Sequence, residues 1–96
     1  MFGKAKEQFE FIKKAREIQK KLKDMTVESE SGAVKIVMNG EQKVQAVNID
    51  KDAVDVDRLD KLEKEVQSAI EGAISKSQKV AAEVMKDMGG LGLPGL

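Results

Sequence analysis

The runs Val34-Lys35-Ile36-Val37-Met38-Asn39-Gly40 and Val44-Gln45-Ala46-Val47-Asn48-Ile49 decide the fold. Val34, Ile36 and Met38 alternate with Ala33, Lys35 and Val37, and Gln45, Val47 and Ile49 alternate with Val44 and Ala46. A period of two marks strands. Asn39-Gly40 between them supplies the two positive-φ residues of a tight hairpin turn. Ser31-Gly32 is a weaker turn signal upstream, and Glu28-Ser29-Glu30 is polar enough for an exposed sheet edge. The expectation is a three-stranded antiparallel meander, with strands at about 26–31, 33–39 and 41–49.

On the N-terminal side, residues from about Lys4 to Met25 contain no Gly or Pro, and Phe11, Ala15, Ile18, Leu22 and Met25 recur at the spacing of one helix face. Phe2, Ala5, Phe9 and Ile12 follow a second register, so the contact face widens early in this helix (about 4–25). On the other side, Asp50-Lys51-Asp52 ends the sheet and Asp55 and Asp57 are expected N-caps. Leu59, Leu62, Val66, Ile70, Ala73, Ser77, Val80, Val84 and Met88 then follow the helical period, predicting a helix at about 57–88 that Gly89-Gly90 stops. At ~1.5 Å per residue this helix outruns strands of ~17–20 Å. Its remainder needs cover from the first helix or a second subunit. Gly72, between Ala69 and Ala73, is tolerated where another backbone comes close. The pattern predicts one α+β domain over residues 1–88 and a flexible Gly/Leu tail at 89–96.

Composition narrows the chemistry. Among 96 residues there is no Cys and no His, which removes disulfides, Cys/His zinc sites, thiolate nucleophiles and imidazole bases. Asp50, Asp52, Asp55 and Asp57 do not match a calcium loop, because the sixth and twelfth positions hold Asp55 and Lys61 instead of Gly and Glu. Capping and strand termination explain them better. No residues suggest catalysis, a cofactor, a metal or a small-molecule substrate. Met25, Met38, Met85 and Met88 read as gap fillers. Three Phe with no Trp or Tyr supply a thin core, so oligomerisation is expected. No apolar run reaches the ~18–20 residues of a membrane span, and Met1-Phe2-Gly3-Lys4 runs straight into charge, which predicts a cytoplasmic protein with no membrane partner.

The 17 basic and 17 acidic residues balance overall, yet residues 1–25 carry a net +4 and residues 26–96 a net −4. Lys13, Arg16, Lys20 and Lys23 fall on one face of the first helix opposite the apolar stripe, while Lys14 and Lys21 flank that stripe. Such a row can follow a phosphate backbone. The competing reading is a solvated face, with Glu10–Lys14 and Glu17–Lys21 as i, i+4 pairs.

Met1-Phe2-Gly3-Lys4, Val34 to Gly40, Val47-Asn48-Ile49-Asp50 and Gly89-Gly90-Leu91-Gly92-Leu93-Pro94-Gly95 together resemble the YbaB/EbfC family of bacterial nucleoid-associated proteins, over nearly the whole chain. The resemblance implies an α-β-β-β-α protomer, a three-stranded antiparallel sheet with two long projecting helices, that dimerises through the sheet region. It also implies a nucleoid location and a homodimer that binds duplex DNA with limited sequence preference. With DNA as the partner, the candidate contacts are Lys13, Lys14, Arg16, Lys20, Lys21 and Lys23, with Lys76 and Lys79 on the second helix. The family has no established chemistry to carry over. Many members carry an Arg-Arg pair where this chain has Gln45-Ala46, and an Asn-Asp or similar pair where it has Glu71-Gly72. DNA laid across the sheet is therefore expected to bind weakly. The alternative is a protein-interaction or chaperone-like module, using the projecting amphipathic helices or the leucine tail to hold a partner.

Overall fold

A computed structural model describes residues 2–89, with side chains from residue 6 onward. The order is α1 (Phe2–Asp24), β1 (Thr26–Ser31), β2 (Val34–Asn39), β3 (Val44–Ile49) and α2 (Leu59–Asp87), an α-β-β-β-α fold. Of the flexible tail expected at 89–96, residues 90–96 lie outside the described residues. The three strands form one antiparallel sheet with β2 in the centre.

The alternation in β2 places Val34, Ile36 and Met38 on one face, each at most 2% exposed. They pack against Ala69 and Ala73 of α2, with Val27, Leu62, Val66 and Ile74 around them. Burying those three β2 side chains contributes roughly 5–9 kcal/mol before chain entropy is charged. Small residues set the distance: a Cβ on Gly72 would strike the Ser29 side chain of β1, so α2 lies low over the sheet as its Ala-Gly-Ala spacing predicted. Two side chains tie the layers together. The Glu65 carboxylate accepts the Ala33 N–H at the β1–β2 turn (2.9 Å), and the buried Ser77 Oγ donates to the Asn39 carbonyl (2.8 Å).

The turn chemistry departs from expectation. Asn39 and Gly40 do not supply positive φ; among the described residues that falls to Gly32 (φ 55), Gln42 (φ 64) and Gly89 (φ 74). The two-residue turn is Gly32-Ala33, with glycine at its first central position. At the second hairpin the Asn39 carbonyl accepts the Gln42 N–H (3.1 Å), and the left-handed Gln42 completes a longer loop. The Asn39 side chain holds that loop, its Oδ1 accepting the N–H groups of Glu41 (2.9 Å) and Lys43 (3.0 Å). Gly40 is small for a different reason. Its N–H donates to the carbonyls of Leu22 (2.8 Å) and Met25 (3.1 Å) where α1 ends, and a Cβ there would sit 2.8 Å from the Leu22 oxygen.

Two further expectations change. Val37 pairs with Ala46 but Met38 with Val44, so Gln45 is the extra residue of a bulge. Val44, not Gln45, therefore shares a face with Val47 and Ile49. At the start of α2 neither Asp55 nor Asp57 caps; the N-cap is Arg58, without a side-chain hydrogen bond. The Asp55 oxygens are used locally, Oδ1 by the Asp57 N–H (3.0 Å) and the carbonyl by the Arg58 N–H (3.0 Å).

The molecule is long, 69 × 22 × 16 Å, because the C-terminal part of α2 leaves the sheet and packs against α1. Ile18 and Val84, 4% and 3% exposed, belong to this overlap. If the Gly40 contact anchors α1, Gly40→Val should destabilise the protein by about 1–3 kcal/mol, since a backbone carbonyl cannot move aside cheaply. Thermal unfolding followed by circular dichroism checks this: the midpoint should drop by at least ~4 °C.

Candidate nucleic-acid interface

α1 has one short buried stripe and a long exposed remainder. Ile18 is buried and Ala15, Leu22 and Met25 are half-buried, whereas Lys13, Arg16, Lys20 and Lys23 are exposed. Spacings of three, four and three keep these four cations on one side of the rod. Lys13, Arg16 and Lys20 border a shallow recess with Phe9, Ile12 and Glu17. A second recess, where α1 meets the β2–β3 loop, is lined by Arg16, Gln19, Lys20, Lys23, Glu41 and Lys43.

Lys43 is the residue that sequence reasoning missed. Nothing in its local sequence marks it, because it lies 20 positions from Lys23 and reaches the row only through the hairpin loop docked on the end of α1. The other candidates divide. Lys21 is exposed on a different side of α1, about 80° from Lys13. Lys14 is half-buried and turns toward the end of α2, its Nζ lying 3.2 Å from where a Cβ of Gly89 would be. There it complements the negative end of that helix. The Lys76 ammonium donates to the Glu28 carbonyl on β1 (2.6 Å), and Lys79 is exposed one turn further on.

Neither expected pair on α1, Glu10–Lys14 or Glu17–Lys21, closes; the ion pairs among the described residues are Lys35–Glu28 (3.2 Å) and Lys61–Glu65 (4.0 Å). The α1 cations thus keep their charge available to solvent or a polyanion. The outer sheet face differs: Glu28 and Glu30 of β1 outnumber Lys35, which is paired with Glu28. Gln45 is exposed and Ala46 half-buried, so no arginine adds charge there. On α2, Gln67 donates to Glu71 (3.3 Å), while Gly72 is turned into the sheet. Among the described residues no group of three or more Asp or Glu is arranged to hold a metal ion, and no helix is long and apolar enough to cross a membrane.

A small α+β protein with a basic helical rod beside its sheet defines the class. The family profile of the YbaB/EbfC DNA-binding family matches residues 1–92, and the chain belongs to that family. It is a family of DNA-binding proteins, not of enzymes. The chain is 37% identical over 86 residues to a nucleoid-associated protein of Syntrophobacter fumaroxidans, covering 86% of this chain and 78% of the relative. It is 36% identical over 95 residues to a nucleoid-associated protein of Thermoanaerobacter pseudethanolicus, covering 88% and 86%. The crystal structure of an uncharacterized protein from Helicobacter pylori shares the fold, with TM-score 0.55 at 23% identity over 85% of this chain and 84% of that one.

If the hairpin loop extends the basic row, Lys43→Glu should elute from heparin at clearly lower salt than the unaltered protein, with a shift matching that of Lys20→Glu. Lys35→Glu, on the outer sheet face, serves as the comparison and should shift less.

Proposed function

We propose that the protein acts as a homodimer that binds duplex DNA in the bacterial nucleoid, mainly through phosphates and with limited sequence preference. On this reading it affects nucleoid organisation and gene expression. The carrying observation is the row Lys13, Arg16, Lys20 and Lys23, exposed, outside any ion pair among the described residues, and extended by Lys43. Lys14 and Lys21 add to the potential of the rod. Lys76 and Lys79 contribute from α2 at longer range. Lysine and arginine on a straight rod suit backbone phosphates, which position a duplex without reading bases. The nucleoid-associated names of the relatives support the same partner.

The dimer accounts for the uncovered half of the core face. α2 packs over β1 and β2, and Val44, Val47 and Ile49 on β3 stay 50–56% exposed on the same face as Val34, Ile36 and Met38. Leu59 (55%) and Ile70 (37%) of α2 are exposed as well. A contiguous apolar strip of this kind is a contact site. A second copy covering it gives two basic rods on one particle. Light scattering should give about twice 10.5 kDa, and Val47→Glu should return the mass to that of one chain.

Fluorescence anisotropy with a short duplex tests the DNA reading. Affinity should fall steeply with salt, with a log–log slope near −0.9 for each phosphate engaged. Replacing Lys13, Arg16 and Lys20 by Glu removes six cations per dimer and should flatten the slope by up to about 5. No binding in dilute buffer, or a slope unchanged by the triple substitution, rejects this reading.

A further inference from the structure

The second apolar register of α1 does not widen its contact with α2. Phe9 precedes Ile18 by nine residues, which at ~100° per residue puts it half a turn round the helix, away from the side that packs on α2. Phe9 is accordingly 68% exposed and Ile12 51% exposed. Both belong to the basic side of the rod. Arg16 and Lys20 fall within about 20° of Phe9, and Lys13 within about 40°. These three cations line one shallow recess with Phe9, Ile12 and Glu17, and three positive charges against one carboxylate leave it net positive. None of the three is in an ion pair among the described residues.

A phenyl ring kept in water beside three cations suits a ligand that joins a flat apolar face to anions. A nucleic-acid strand is such a ligand, because each base has a π-face and each linkage a phosphate. In an intact duplex those faces are covered by the neighbouring pairs. One base–aromatic stack adds about 5- to 150-fold in affinity, and the cost of unstacking a paired step offsets it. An unpaired base is already free, so the gain is kept. We propose, on the basis of the DNA reading above, that Phe9 with Ile12 is a stacking platform for an unpaired DNA base whose adjoining phosphates lie on Lys13, Arg16 and Lys20. The rod thereby favours DNA that carries a gap or bulge over uninterrupted duplex. Because stacking tolerates every base, the site adds a preference for DNA structure and no sequence code.

Fluorescence anisotropy with two labelled probes, an intact duplex and the same duplex carrying a short thymine bulge, tests the platform. The unaltered protein should bind the bulged probe at least about fivefold tighter. Phe9→Leu keeps an apolar side chain and loses the π-face. It should bring the bulged probe down to the affinity of the intact duplex, while intact-duplex binding and its salt slope stay unchanged. Circular dichroism should show α1 retained, because Phe9 is not a core residue. The chain has no Trp or Tyr, so Phe9→Trp introduces a lone fluorophore. At saturation the bulged probe should quench it more strongly than the intact duplex does. Equal affinity of the unaltered protein for both probes, or a Phe9→Leu loss shared by both, overturns the platform and leaves duplex binding standing. No binding of either probe in dilute buffer overturns the DNA reading and the platform with it. A fall in mass by light scattering on Phe9→Leu would assign the ring to a contact between copies and also overturn the platform.

Discussion

At the end of β2, adjoining residues join the sheet to both helices. The Gly40 N–H is shared by the Leu22 and Met25 carbonyls at the end of α1, and the Asn39 carbonyl takes the buried Ser77 hydroxyl of α2. The Asn39 side chain meanwhile organises the loop that carries Lys43. Because these groups are buried, leaving any one unpaired would cost about 1–3 kcal/mol. The direction of α1, the seating of α2 and the position of the hairpin tip therefore depend on one junction. The alignment of Lys43 with the α1 cations follows from it.

The second constraint is coverage. One helix over a three-stranded sheet cannot cover all of it, and α2 lies low over β1 and β2 because Ala69, Gly72 and Ala73 permit close approach. Its axis is then too far to one side to shield Val44, Val47 and Ile49. A twin chain is the proposed cover for the strip beside β3.

Charge is segregated in a way that fits this layout. Cations gather on the exposed side of α1 and at the hairpin loop, whereas the outer sheet face carries Glu28 and Glu30 with Lys35 already paired. Gln45 and Ala46 add no charge to the sheet, so the cations of the described residues are concentrated on the rod rather than there. Gln45 occupies a bulge and Ala46 is half-buried opposite Val37, so an arginine placed at Ala46 would have to find room.

Periodicity alone determined the order of elements, the inward row Val34, Ile36 and Met38, the close approach at Gly72 and the basic face of α1, because each depends on repeats within one segment. Only the tertiary structure decided the rest. The turn at Asn39-Gly40 looked like a two-residue hairpin, yet contact with α1 reserves Gly40 for close approach and moves the left-handed residue to Gln42. The bulge at Gln45 is set by pairing with β2, and it brings Val44 onto the core face. Asp55 and Asp57 are equivalent cap candidates in sequence, but the backbone turns of the loop use the Asp55 oxygens first and helix α2 begins after Arg58. Lys43 joined the basic row for the same physical reason: proximity between residues 20 positions apart is set by packing between elements, which no local repeat records.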